Sequence, residues 1–114
     1  MPHFTIEYSR AVEEQQPPST LMEAVHQGAV NSDLFSPAVI KIRCAAFENT
    51  WVGGHEEGRF LHVRARILSG RTAGQKNKLS SEVYEQLLQL ELSLDELTVE
   101  VCDIDRTSHQ PSPG

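Results

Sequence analysis

Residues 60–90, "FLHVRARILSGRTAGQKNKLSSEVYEQLLQL", run through one strand and one helix, and the change of period between them decides the architecture. In "RFLHVRARIL" the side chains alternate: Leu61, Val63, Ala65 and Ile67 face one way, and His62, Arg64 and Arg66 the other. Such alternation marks a strand buried on one face only. Gly70 breaks the pattern. Thr72 and Gln75 then have the spacing of a capping box, in which each side chain satisfies the other's backbone amide. Beyond it the apolar residues recur at helical spacing, in a stripe of Leu79, Val83, Leu87 and Leu90.

The same succession occurs upstream. "HFTIEYS" alternates, with Phe4, Ile6 and Tyr8 opposite His3, Thr5 and Glu7. After a loop, "AVEEQQPPS", Thr20 and Glu23 have capping-box spacing and predict the start of a first helix. Its stripe, Leu21, Val25 and Ala29, has the spacing of Leu79, Val83 and Leu87. "NSDLFSP" ends that helix, and "AVIKIRCAAF" is a second strand with Ile40, Ile42, Cys44 and Ala46 opposite Lys41 and Arg43. "ENTWVGGHEEG" reads as a polar connection to the third strand, and "ELTVEVCDI" as the last strand. The order is βαβ followed by βαβ, a weak internal repeat. The strands of each unit should be parallel and joined by a right-handed crossover. The expected fold is α/β (α+β): a four-stranded mixed sheet with both helices on one face. Residues 1–105 form the single domain, and 106–114, rich in Pro, Ser and Gly, are expected to be a mobile tail.

Composition narrows the function. A chain of 114 residues suits one modest core. The net charge of -6 argues against nucleic acid, whose phosphates need clustered Lys and Arg. No apolar run reaches membrane-spanning length and no signal-peptide core follows Met1, so a cytoplasmic protein without membrane contact is expected. Cys44 and Cys102 lack paired spacing and read as reduced core thiols. The five histidines are scattered without ligand spacing, so no metal is expected. The polar face of the sheet, bearing Lys41, Arg43, His62, Arg64, Arg66 and Glu100, has two readings: a solvated surface with ion pairs, or a surface buried between copies of the chain.

Chemistry concentrates at the amino terminus. Pro2 follows Met1 directly; once Met1 is removed, it becomes the one residue type that gives a secondary amine. Lys41 and Arg43 lie on the strand that the first crossover places beside it. Arg71 stands just before a helix N-terminus, where the macrodipole disfavours a cation unless an anion is bound there, with Lys76 and Lys78 close behind. An arginine bonded to loop carbonyls is the plainer alternative.

"MPHFTIEYS", "IKIR", "FLHVRARILSGRTAGQK" and "TVEV" together resemble the 5-carboxymethyl-2-hydroxymuconate isomerase family of the tautomerase superfamily. That family opens with a Met-Pro-His-Phe strand, carries an Ile-Arg-Ser-Arg strand, and runs from Phe-Val-His into Gly-Arg-Ser before its second helix. The resemblance implies a homotrimer with active sites near the subunit interfaces, using neither cofactor nor metal and acting on a small anionic substrate. It makes the processed Pro2 the acid/base that converts a 2-hydroxy-dienoate to its 2-oxo-enoate isomer. Arg71 then binds a substrate carboxylate or polarises the 2-oxo group. Arg43 matches the second arginine of Ile-Arg-Ser-Arg, and Lys41 replaces the first, a point charge in place of a bidentate guanidinium. The residues after "TVEV" are also fewer than is usual in the family. Two alternatives stand beside this reading: a hydratase or dehalogenase acting on another unsaturated acid, and a non-catalytic trimeric binding protein.

Overall fold

The computed structural model describes residues 1–113; Gly114, the end of the expected tail, lies outside them. Strands β1 (His3–Ser9), β2 (Lys41–Phe47), β3 (Phe60–Leu68) and β4 (Glu96–Ile104) form one sheet in the order β2-β1-β3-β4. Helix α1 (Pro18–Asn31) links β1 to β2, and α2 (Ala73–Leu88) links β3 to β4. Within each βαβ unit the strands are parallel, and β1 and β3 join the two units antiparallel at the centre.

The alternation read from the sequence becomes a division of faces. Phe4, Ile6 and Tyr8 of β1 and Leu61, Val63, Ala65 and Ile67 of β3 are buried with Leu21, Val25 and Ala29 of α1 and Leu79, Val83 and Leu87 of α2. Both helices therefore cover one face, and they also pack on each other. A Cβ on Gly28 would lie 2.5 Å from Val83 Cα, so the helices approach closely only because residue 28 has no side chain.

Several details depart from the sequence reading. The α2 capping box is present, but α1 has none. Its first residue is Pro18, with Pro17 in extended conformation before it, so Thr20 already lies inside the helix. Proline fits the first helical position because its missing N–H would be unpaired there in any case. "AVEEQQPPS" is not wholly loop: Arg10–Glu14 form a 3₁₀ turn that buries Val12. Pro37–Val39 form another, so β2 begins at Lys41 and not at Ala38. Leu90 lies beyond α2 yet still packs against the core. Cys44 packs against the core, but Cys102 is not a core thiol. It shares the open face with Arg66, its partner in register, and lies 3.2 Å from Glu100 Oε1. Arg106, the first residue of the expected tail, donates from its side chain to the Ser69 carbonyl at 3.0 Å.

The open face carries a polar network at its β3–β4 side. His62 lies between Thr98 Oγ1, at 2.6 Å from Nδ1, and the Glu100 carboxylate at Nε2. Arg64 Nε reaches the same Glu100 oxygen at 3.4 Å. These contacts hold the Glu100 carboxyl below the usual carboxylate range, the His62 hydrogen bond first among them.

Candidate active site

Because β1 is an inner strand, the amino terminus enters the sheet between β2 and β3. The Pro2 carbonyl accepts from the Lys41 amide at 3.2 Å, so the ladder extends one residue beyond β1 and anchors Pro2, which is buried. Lys41 Nζ lies 3.2 Å from Met1 Sδ and donates to the Val39 carbonyl at 3.0 Å. The amine of the chain as translated is depressed below its ordinary value by burial, then by the charges of Lys41 and Arg71. Like charge and desolvation both favour the neutral base.

Arg71 arrives from the other βαβ unit. Gly70, at φ 118°, turns the chain from β3 toward α2 in a conformation that side chains rarely adopt. Arg71 Nη2 then donates to the Leu34 carbonyl at 2.9 Å. Its guanidinium lies 5.8 Å from the centroid of the Phe35 ring, which packs edge-on against Phe4. Leu34 and Phe35 were not singled out in the sequence. They belong to the connection that ends α1, and only the crossover brings that connection to Arg71.

The structure treats the other cations differently. Arg43 Nη2 donates to His3 Nδ1 at 2.9 Å. Arg66, in register with His3 on the β3 side, adds to the charge there. Lys76 and Lys78 instead face the carboxylates of Asp103 and Asp33, each at 3.4 Å. The α2 N-terminus is already partly satisfied by Thr72 and Gln75. Of the ten Lys and Arg residues, Lys41, Arg43, Arg66 and Arg71 therefore converge on the amino-terminal end of the sheet. None of these four pairs with a carboxylate among the described residues. In a chain of net charge -6, that leaves a local excess of positive charge suited to a small anion.

A cavity of the single protomer lies elsewhere. It is about 540 Å³, is lined by Ser9, Arg10, Glu13, Glu48, Glu57 and neighbours, and sits at the far end of β1. The amino-terminal cluster is an open surface, and no group of His, Cys, Asp and Glu able to hold a metal ion occurs among the described residues.

A βαβ-βαβ protomer with both helices on one face of a mixed sheet is the fold of the tautomerase superfamily. Residues 2–101 match the model of the 5-carboxymethyl-2-hydroxymuconate isomerase family, and the chain belongs to that family. No curated protein matches the sequence. Among solved structures, a 5-carboxymethyl-2-hydroxymuconate isomerase from Deinococcus radiodurans R1 is similar with a TM-score of 0.81 at 20% identity, over 99% of this chain and 90% of that one. A fused 4-OT asymmetric trimer gives 0.76 at 20% identity, over 96% and 91%. A member of the cis-3-chloroacrylic acid dehalogenase family gives 0.73 at 16% identity, over 96% and 79%. At these identities the likeness is one of fold.

Proposed function

We propose that the protein is a cofactor-independent tautomerase that converts a 2-hydroxy-dienoate, of the 5-carboxymethyl-2-hydroxymuconate type, to its 2-oxo-enoate isomer. The observation that carries this reading is the placement of Lys41 and Arg71, from different βαβ units, at the chain's amino terminus, where Lys41 Nζ lies 3.2 Å from Met1 Sδ and both charges add to the lowering of the amine by burial. With Met1 removed, the same charges act on the secondary amine of Pro2. An unperturbed α-amino group titrates near ~7.7–8.0. A lowering in that direction favours the free base near neutral pH, as a general base requires. Pro2 takes the proton of the 2-hydroxyl and returns a proton to a distant carbon of the conjugated chain. Arg71, with Arg43 and Lys41, holds carboxylates and stabilises the charge that develops on the 2-oxygen.

The open position of the cluster on the isolated protomer supports a homotrimer in which neighbouring copies close the site. A small anionic substrate, a cytoplasmic setting and a role in aromatic-compound breakdown belong to the same reading. A second reading, hydration or dehalogenation of an unsaturated acid, draws on the dehalogenase-like fold neighbour and on Lys41 in place of an arginine. One experiment separates them. Purified protein, shown by mass to begin at Pro2, is incubated with a panel of dienols and halogenated or unsaturated acids while ultraviolet absorbance is followed. Ketonisation of a dienol supports the isomerase. Turnover of halo-acids alone supports the second reading, and inertness toward the whole panel overturns both.

A further inference from the structure

On the open face, His3, Thr5 and Glu7 of β1 stand in register with Lys41, Arg43 and Ala45 of β2. Arg43 therefore sits beside Thr5, with His3 one same-face step toward the amino terminus and Glu7 one step away from it. A guanidinium ordinarily favours a carboxylate, because the charge-assisted bond is the stronger one. Here Arg43 leans the other way, to His3 Nδ1 at 2.9 Å. Glu7 forms no ion pair among the described residues. A guanidinium has only donors, so His3 Nδ1 must accept, and the ring proton must be on Nε2. A protonated imidazole has no acceptor to offer.

We propose that His3 is a positioning residue with two settings: neutral, it holds Arg43 at the amino-terminal cluster; protonated, it releases Arg43 to Glu7. The inference rests on the reading of Arg43 as a residue that binds substrate anion. The charges around His3 favour the neutral setting near pH 7. Arg43 and Lys41 face it from β2 and Arg66 from β3, and the amine at the chain's own start adds its charge when it is protonated. Farther along the face, Arg64 stands beside Thr5 and is tied to Glu100 of β4, while Cys102 stands beside Arg66. Burial first, then Arg43, Lys41, the amino terminus and Arg66, hold His3 below the ordinary histidine value. Release therefore comes on acidification, below about pH 6.5.

The sign of the effect makes the proposal testable. An added proton on His3 would by simple attraction tighten the binding of an anion. Loss of Arg43 would weaken it. The probe is 1,4-butanedisulfonate, a dianion throughout the pH range used, with binding followed by calorimetry at pH 8 and pH 5.5. We expect affinity to fall about tenfold on acidification, the scale of losing one hydrogen bond to a charged group. His3→Asn keeps an acceptor near the Nδ1 position but cannot titrate, so it should bind as the wild type does at pH 8 and, with the amine still free to gain a proton, should not weaken on acidification. Glu7→Gln, lacking the competing carboxylate, should reduce the loss at pH 5.5. The nitrogen chemical shifts of His3 in the wild-type protein should show the Nε2–H tautomer at pH 8, a readout independent of any variant's folding. An Nδ1–H tautomer at pH 8, or wild-type binding that responds to acidification just as His3→Asn does, overturns the proposal. Absence of binding at both pH values removes the anion site itself and the proposal with it; binding that responds to acid as His3→Asn does removes only the role of His3.

Discussion

At the scale of single residues, the proposed chemistry depends on whether the chain starts at Met1 or Pro2. With Met1 in place the Pro2 nitrogen is a tertiary amide with no basic lone pair. Intact mass should show loss of Met1, and activity in mixed preparations should rise in proportion to the processed fraction. Full activity in a preparation that retains Met1 would eliminate Pro2 as the base. The pH profile follows from the sign of the shift. In the proposed mechanism the free amine is the active form, so the rate should rise with pH through the amine's titration, with burial, Lys41 and Arg71 shifting that rise downward from the ordinary α-amino value. Arg71→Ala should reduce kcat/KM by a factor of about 10²–10³, as loss of a transition-state donor typically does. The same substitution removes the bond to the Leu34 carbonyl and the contact with Phe35, so it should also loosen the end of α1. Kinetics unchanged on the best substrate would return Arg71 to a structural clasp.

Among the elements, α1 and α2 meet in close backbone contact at Gly28. Val83 Cα occupies the place a Cβ on Gly28 would need, and backbone there cannot yield as a flexible side chain does. Gly28→Ala should therefore destabilise by about 1–3 kcal/mol, the usual range for overpacking, although alanine is the better helix former. Thermal or denaturant unfolding measures this, and an unchanged or raised Tm would show that the helices can separate without cost. The two helices also differ in how they start. Thr72 and Gln75 cap α2 reciprocally, so Thr72→Ala should cost about 0.5–2 kcal/mol. Thr20→Ala should cost far less, because Thr20 makes no cap. Equal losses in the two variants would contradict this distinction.

For the whole molecule the question is what covers the open sheet face. One end of that face is cationic, and its β3–β4 side carries the His62, Arg64 and Glu100 network. We expect light scattering to show a trimer at micromolar concentration. If this face is buried between copies, Arg64→Glu should weaken assembly, since it places a like charge against Glu100. If the protein is a monodisperse monomer, the open cluster has no neighbouring copy to close it, and the site must work as an exposed surface.

The sequence alone determined the parts whose causes are local. Alternation in residues 3–9 and 60–68 and the helical stripes of Leu21, Val25 and Ala29 and of Leu79, Val83 and Leu87 depend only on which face is apolar. From these the βαβ-βαβ order, the buried face and the Thr72–Gln75 cap were legible, as was the family resemblance. Where local signals compete, the reading failed. Thr20 and Glu23 have the spacing of a cap, but Pro18 starts the helix earlier by supplying a preset φ at its first position. Cys102 has apolar neighbours in sequence, and its parity in β4 turns it to the polar face. The tertiary structure alone decided the geometry of the candidate site and added Arg66 to it. The sheet order β2-β1-β3-β4 puts the chain's start between β2 and β3, and so gathers Lys41, Arg66 and Arg71 from distant parts of the sequence. It also turned Lys76 and Lys78 away to Asp103 and Asp33, and Arg43 toward His3. Pairing between charges depends on distance across strands, and only the packed sheet sets that distance.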